Sequence, residues 1–238
     1  MKLVAPYRPM VPYTSQHIEL AAKGFDWIKA LKMLGQSARL RAKAEVFAIT
    51  DTELPVPHYR YLSREPLLML WVLEVSLAYL ESADFDQDTV FISPDSLVVG
   101  RLDVFGDFDI ALTARPDKFA RTKPLMNGLQ FWPLAAKDKL VQLYQRVLEL
   151  AHGLPLEVQR WGADTEPLIR LLGPIRAGLF TRSGLRVRIF PYPMLRTVGG
   201  AEVRKLRAGK SVVRGSSVVS FKAMRKRSMA EFYERTFT

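Results

Sequence analysis

Polar and aromatic side chains follow three apolar, strand-like segments of this chain. Pro6, Tyr7 and Arg8 close the first segment, Asp51 follows the second, and Asp95 follows the third. These residue types offer an acceptor for base or ribose groups, a ring on which a base stacks, and a cation for phosphates. We therefore expect them to bind a nucleotide. Taken singly, Asp51 and Asp95 also suit ordinary turns, because aspartate favours turns.

Alternating strand and helix patterns must position these residues. The predicted strands are Lys2–Pro6, Glu45–Thr50, Thr89–Ile92, Asp109–Thr113 and Asn127–Trp132, with strand character again at 186–190 and 212–221. The predicted helices are Phe25–Leu34, Glu65–Glu81, Leu134–Ala151, Ala163–Leu172 and Arg225–Phe237. This alternation indicates one α/β domain with a mainly parallel, mixed sheet covered by helices on both faces. Ligands of such sheets bind at the carboxyl ends of the strands, where the candidate residues lie.

Several motifs occur in a familiar order. The stretch DTVFISPDSLVVGRLDVFGDFDIALTAR, followed by PLMNGLQFW, resembles the centre of the GT-A fold glycosyltransferases, where an apolar strand runs into an Asp-x-Asp motif. Further on, WGADTEPLIRLL resembles the family segment that carries the acceptor-side aspartate, and VVSFKAMRKRSM resembles its closing His-Phe-Lys-Gly segment. The resemblance implies a GT-A-like domain with a donor half at 1–133 and an acceptor half at 134–238.

The resemblance also implies an activity: a sugar passes from a nucleotide-diphosphate donor to a hydroxyl acceptor. It makes Asp164 the base that deprotonates the acceptor hydroxyl, although an aspartate at a predicted helix start also suits an N-cap. Arg64 would reach the donor phosphates, or is simply solvated. The candidate donor-binding residues are Pro6, Tyr7, Arg8, Asp51, Arg64, Asp95, Asn127, Gly128, Lys222, Arg225 and Lys226.

Two departures from the family pattern fall on its metal site. Ser93 stands at the first aspartate of Asp-x-Asp, and Ser220 stands at the closing histidine. Mg²⁺ and Mn²⁺ need several oxygen ligands, and serine is a poor neutral one. We therefore expect no tightly bound metal. Lysines such as Lys222 can neutralise the diphosphate instead, or Asp95 holds Mn or Mg weakly together with the donor, or the enzyme is degenerate and inactive.

The basic charge of the chain is confined to its C-terminal quarter. Residues 182–238 contain 14 Lys and Arg and three Asp and Glu, which account for the whole net charge of +11. Such a block indicates a polyanionic partner, with a solubilising surface as the alternative. We expect the acceptor to be DNA carrying a hydroxylated base, as for DNA-modifying transferases of bacteriophages. The candidate acceptor-binding residues are Trp161, Arg204, Lys205, Arg207 and Lys210.

Two rival functions stay open: transfer to a bacterial surface glycan or lipid-linked saccharide, and nucleic-acid binding on an inactive transferase fold. The compartment is also constrained. The chain has no cysteine, which excludes thiolate metal sites and fits a reducing compartment. Its N-terminal residues are a poor signal peptide, and its most apolar stretch, Pro66–Leu80, is too short for a membrane span and contains Glu74. We expect a cytoplasmic protein of a bacterial or phage-infected cell, without a membrane partner.

Overall fold

A computed structural model describes residues 1–9, 25–115, 124–173, 175–192, 194–198, 200–207 and 215–237. Its strands in chain order are β1 (Lys2–Pro6), β2 (Glu45–Thr50), β3 (His58–Arg60), β4 (Thr89–Ile92), β5 (Ser96–Val98), β6 (Ile110–Ala114), β7 (Leu125–Trp132), β8 (Gly178–Arg182), β9 (Leu185–Phe190), β10 (Leu195–Thr197) and β11 (Val218–Ser220). The α-helices are α1 (Trp27–Ala42), α2 (Leu68–Glu81), α3 (Lys137–His152), α4 (Leu156–Gly162), α5 (Glu166–Leu172), α6 (Gly200–Arg207) and α7 (Ser228–Phe237).

An eight-stranded mixed sheet forms the centre of the fold. Its strands lie in the order β3-β2-β1-β4-β7-β6-β9-β8. The pairs β3–β2, β2–β1, β1–β4 and β6–β9 are parallel, whereas β7 runs antiparallel to both of its neighbours and β8 runs antiparallel to β9. The carboxyl ends of β1, β2 and β4 therefore meet at one edge of the sheet, as expected from the sequence.

Helices cover both faces of this sheet. Side chains of a strand alternate between its two faces. In β1, Val4 accordingly packs with α2 and α3, and Leu3 and Ala5 pack with α1 on the opposite face. The α2 helix packs against the sheet, α3 and α4, which explains why it is apolar almost all round. The prediction of a mainly parallel, mixed sheet with helices on both faces is confirmed.

A second, three-stranded sheet brings the C-terminal segment back to the first. The β11 strand pairs in parallel with β10 and antiparallel with β5, and this register places Ser220 opposite Ser96. Beside it, Phe221 packs against Phe232 of α7 with the rings 5.4 Å apart. Strands from both sides of residue 133 thus share both sheets, and the division into donor and acceptor halves stays a prediction.

Several element bounds differ from those predicted. The first helix begins at Trp27, because Asp26 caps its start. It extends to Ala42, since buried side chains continue to Ala38. The helix predicted over 163–172 begins only at Glu166. The last helix begins at Ser228, after a 3-10 turn, and residues 212–214 of the strand predicted over 212–221 lie outside the described residues.

The strands β3, β5, β8 and β10 and the helices α4 and α6 were not predicted. Of these, β3, β5 and β10 have three residues each, which is too short to show a period. None of the helices described is long and apolar enough to cross a membrane.

Candidate functional site

The carboxyl ends of β1 and β2 bring Arg8 and Asp51 together. The Nε of Arg8 donates to Asp51 Oδ2 at 2.9 Å, Nη1 donates to the Glu65 carbonyl, and the guanidinium lies 5.5 Å from the Trp71 ring. The other carboxylate oxygen, Asp51 Oδ1, is buried and has no hydrogen-bond partner among the described residues. Leaving a buried acceptor unpaired costs about 1–3 kcal/mol. The strand end thus presents a fixed acceptor to which a ligand can donate.

Aromatic rings line the end of β1 beyond the buried Pro6. The rings of Tyr7 and Trp27 lie 6.1 Å apart, and Phe25 meets Trp27 edge-on at 4.9 Å. Burial, and then the charge of Asp26, raises the pKa of the Tyr7 phenol. Its hydroxyl therefore stays protonated at neutral pH, and its half-buried ring offers a face for stacking.

Asp95 lies in a group of basic and hydroxyl side chains. It is 4% exposed. The Lys222 ammonium lies 3.0 Å from Oδ1, and the Lys226 ammonium lies 3.4 Å from Oδ2. Ser220 Oγ donates to Oδ1 at 3.4 Å, and Lys222 also donates to Ser93 Oγ at 3.2 Å. Lys222 therefore bridges Ser93 and Asp95, which both lie just beyond the end of β4.

The two lysines beside Asp95 differ in their surroundings. Lys226 is buried, and its ammonium lies 4.1 Å from the centroid of the Trp27 ring. Burial lowers the pKa of Lys226, and the charge of Asp95 opposes that shift. The side chain of Lys222 is 45% exposed. Lys226 thus contacts Asp95 from the buried side, and Lys222 is the lysine that a ligand can reach.

Gly128 packs directly against Ser93. A Cβ at residue 128 would lie 3.1 Å from Ser93 Oγ, and the Ser93 backbone N–H donates to the Gly128 carbonyl at 2.9 Å. The missing side chain lets β7 approach the residues that follow β4. A direct donor contact of Gly128 stays a prediction.

Asp164 lies at the end of a hydrogen-bond chain that begins in the core. Trp132 Nε1 and Tyr144 OH donate to Gln130 Oε1 at 3.1 and 2.6 Å. The Nε2 of Gln130 donates to Asn127 Oδ1 at 2.7 Å. In turn, Asn127 Nδ2 donates to the Asp164 carbonyl at 2.7 Å and to its Oδ2 at 3.1 Å. Every bond donates towards Asp164, so the chain fixes the orientation of its carboxylate.

The structure separates Asp164 from the helix cap expected as its alternative role. The residue that precedes α5 is Thr165, and its hydroxyl donates to Asp164 Oδ1 at 3.1 Å. Burial raises the pKa of Asp164, whereas the hydrogen bonds from Asn127 and Thr165 and the charge of Lys222 lower it. The charge of Lys222 is the smallest of these influences. The geometric link runs through β7, because Asn127 holds Asp164 and its neighbour Gly128 packs against Ser93.

Four other candidate residues make none of the contacts given above, and three lie partly or wholly outside the described residues. Arg64 is exposed, three residues before the N-cap of α2, and Arg204 and Lys205 are exposed on α6. The Nη1 of Arg225 donates to the Val198 carbonyl at 3.4 Å. The side chains of Trp161 and Arg207, and the whole of Lys210, lie outside the described residues.

Sequence reasoning overlooked Gln130, although a glutamine within the otherwise apolar run LQFW was a visible signal. It also placed Asn127 on the donor, whereas its amide is engaged with Asp164 and Gln130. A donor contact by Asn127 stays a prediction.

Comparisons by sequence establish no family. No family model matches the chain. Among curated proteins, subunit N of the light-independent protochlorophyllide reductase of Rhodopseudomonas palustris is 27% identical over 169 residues. That match covers 63% of this chain, which spans 39% of the subunit. The absence of cysteine means that these 238 residues supply no thiolates for a redox cluster.

Solved structures resemble the chain over its whole length. A glycosyltransferase involved in glycosylating the major capsid of PBCV-1 has a TM-score of 0.56 at 11% identity, with both chains fully covered. The apo form of the glycosyltransferase GlyE of Streptococcus pneumoniae has a TM-score of 0.59 at 10% identity, with 60% of its length covered. The galactosyltransferase LgtC, in complex with donor and acceptor sugar analogs, has a TM-score of 0.54 at 12% identity, with 97% of its length covered. The chain therefore has a GT-A-like glycosyltransferase fold.

Proposed function

We propose that this chain transfers a sugar from a nucleotide-diphosphate donor to a hydroxyl acceptor. The observation that carries the proposal is geometric: the Lys222 ammonium bonds Asp95 and Ser93 at the strand end. Gly128 packs against Ser93, and its neighbour Asn127 holds Asp164. One site thus combines a cation for the diphosphate with a carboxylate for the acceptor. The GT-A-like fold supports the same activity.

The donor nucleotide lies along the ends of β1 and β2 in this proposal. Asp51 Oδ1 accepts a hydrogen bond from the base or the ribose, because it is a buried acceptor for which the described part of the chain supplies no donor. Tyr7 stacks on the base. Arg8 holds Asp51 in place through its ion pair. Lys222 and Arg225 bind the diphosphate.

Asp164 is the base of the proposed reaction. The acceptor oxygen forms a bond to the anomeric carbon, and the bond from that carbon to the diphosphate oxygen breaks. The acceptor proton passes to the Asp164 carboxylate, and the charge that develops on the leaving diphosphate is stabilised by Lys222. The raised pKa of Asp164 suits a base, because a carboxylate that holds a proton more tightly accepts it more readily.

We further propose that the acceptor is DNA with a hydroxylated base. Arg204 and Lys205 are exposed on α6, within the segment that carries the net charge, and can bind phosphates; we extend this surface to Trp161, Arg207 and Lys210. A base in a duplex must be flipped out or met in a single strand. A saccharide acceptor and an inactive nucleic-acid-binding module are the alternative outcomes of the tests below.

We place the reaction in the cytoplasm of a bacterial or phage-infected cell. A chain without cysteine gains nothing from an oxidising compartment, since it forms no disulfide. Fractionation of the native host after tagging tests this placement, and recovery in a secreted fraction contradicts it.

Donor binding is tested by thermal shift against a panel of nucleotide sugars. At a ligand concentration 100 times Kd, binding stabilises the folded state by about 2.7 kcal/mol, which raises the melting temperature. Asp51→Asn should abolish the shift. Asp103→Asn is the matched control, because Asp103 is exposed and its one ion pair among the described residues is with Arg101. If no nucleotide sugar binds or is hydrolysed, the enzyme hypothesis is wrong and the inactive module remains.

Acceptor binding is tested by salt titration with DNA. The log of the affinity should fall linearly with log salt concentration, by about 0.9 per phosphate neutralised in a duplex. The double charge reversal R204E/K205E should weaken binding and flatten that slope, with donor binding retained. The control K32E/R39E changes net charge equally on the exposed face of α1.

Equal losses in both double variants would indicate a net-charge effect and contradict the acceptor surface. If neither duplex nor single-stranded DNA binds at low salt, the acceptor is a saccharide.

A further inference from the structure

We propose that the ammonium of Lys222 takes the place of a divalent metal, so that the donor diphosphate binds without one. This inference rests on the proposed donor site. GT-A-like transferases with an intact Asp-x-Asp motif use that motif to hold a metal, and here its first position is Ser93. The contacts of the remaining residues decide whether a metal fits.

The oxygen atoms around Asp95 do not fit Mg²⁺ or Mn²⁺. Both carboxylate oxygens already face an ammonium, Oδ1 that of Lys222 and Oδ2 that of Lys226. Ser93 Oγ accepts from Lys222, and Ser220 Oγ donates to Asp95. In nucleotide sites Mg²⁺ is held by one or two free carboxylates, with waters and phosphates as its other ligands. The one carboxylate of this group is already paired with two lysines, and the two serines are neutral.

The charge around Asp95 also excludes a divalent cation. Two ammonium groups lie within 3.4 Å of a single carboxylate, so Lys222, Lys226 and Asp95 together carry one net positive charge. A second cation at the same carboxylate would be repelled by both lysines at short range. A diphosphate, in contrast, brings the negative charge that this cluster lacks.

Lys222 has the geometry that the replacement requires. An ammonium has three N–H donors. Two of them are directed to Asp95 Oδ1 at 3.0 Å and to Ser93 Oγ at 3.2 Å. These bonds fix the ammonium at the strand end and leave the third donor for a phosphate oxygen, on a side chain that is 45% exposed. Lys226, buried against Trp27, holds Asp95 in place through its ion pair.

The test measures binding of inorganic pyrophosphate, and then of nucleoside diphosphates, by calorimetry with EDTA or with Mn²⁺. The wild-type affinity should change less than about twofold between the two conditions. Lys222→Ala should weaken binding at least about tenfold, and Lys222→Arg should recover part of the loss. Lys32→Ala, on the exposed face of α1, is the control and should bind as the wild type does. Melting temperatures verify that each variant is folded.

A second arm detects the metal directly by electron paramagnetic resonance of Mn²⁺. The wild type should leave Mn²⁺ free, and S93D/K222A should bind it, because two carboxylates then face each other without the ammonium. Mn²⁺ binding by the wild type that disappears in Asp95→Asn would overturn the inference. Nucleotide sugars that bind only with Mn²⁺ would overturn it and leave the proposed function intact. Lys222-dependent binding of pyrophosphate without binding of any nucleotide sugar would support the anion site and contradict the proposed function.

Discussion

Replacing Asp164 by asparagine separates its proposed chemistry from its structural contacts. The amide is isosteric with the carboxylate, and its oxygen can still accept from Asn127 Nδ2. Its nitrogen can donate to Thr165 Oγ1, which now donates to the carboxylate. The variant therefore keeps the hydrogen-bonded positions and loses only the charge and the ability to take a proton.

The substitution should lower turnover strongly and change the free energy of unfolding only slightly. A positioned base contributes about 100-fold or more to the rate, so kcat should fall by that factor, equivalent to about 2.7 kcal/mol. The bonds from Asn127 and Thr165 become neutral, which weakens them by about 1 kcal/mol in total. The removal of a charge disfavoured by burial opposes that loss. The free energy of unfolding should therefore change by about 1 kcal/mol or less.

The direction of the Asp164 pKa shift determines how folding stability changes with pH. Because burial raises the pKa of Asp164 in the folded state above its unfolded value, the folded protein binds this proton more tightly. The stability contributed by this group is present below the unfolded pKa and is lost as the pH rises through the folded pKa. That loss should be absent in Asp164→Asn. Wild-type kcat should fall on the acid side as Asp164 becomes protonated.

Stability is measured by urea unfolding, and single-turnover rates with saturating donor are measured over about pH 4 to 8. Thr165→Val is the matched control: it removes one hydrogen bond but keeps the carboxylate, so its rate should stay within about tenfold of the wild type. If Asp164→Asn unfolds more readily and turns over normally per folded molecule, Asp164 is structural and the mechanism proposed above is wrong.

Two further substitutions test the hydrogen bonds made by Gln130 and by Asp109. Gln130→Ala leaves the buried N–H of Trp132 and O–H of Tyr144 without an acceptor, at about 1–3 kcal/mol each. Urea unfolding should therefore show a loss of about 2–6 kcal/mol, against about 1 kcal/mol for Tyr144→Phe. Equal losses would contradict the network. Burial raises the pKa of Asp109, but hydrogen bonds, first of all from the Arg186 N–H, outweigh it and hold the pKa below its usual value. The stability that Asp109 contributes is therefore present above its unfolded pKa and is lost as the pH falls through its folded pKa. Asp109→Asn should cost about 1–3 kcal/mol of unfolding free energy at pH 7 and flatten the acid side of the curve of stability against pH. An unchanged acid side would contradict this prediction.

The central part of the fold was predictable because its signals are local. Apolar runs such as EVFAIT and TVFI indicated buried strands, and the helical periods between them indicated a parallel arrangement. The positions of Asp51 and Asp95 at strand ends followed from that arrangement alone. The separation of the basic charge into residues 182–238 is likewise a property of the sequence, since it requires only counting.

The contacts that give the candidate site its chemistry were decided by the tertiary structure. The resemblance to the closing segment singled out Lys222, but no local pattern predicted which residues it contacts. It reaches Asp95, 127 residues away, because β11 pairs antiparallel with β5 and so places the closing segment at that strand end. Asp164 was indistinguishable from a helix cap until Asn127, 37 residues away, was seen to hold it. Periodicity reports which face of an element is buried, but pairing between distant elements depends on the free energy of the whole packed chain, which no short stretch of sequence contains.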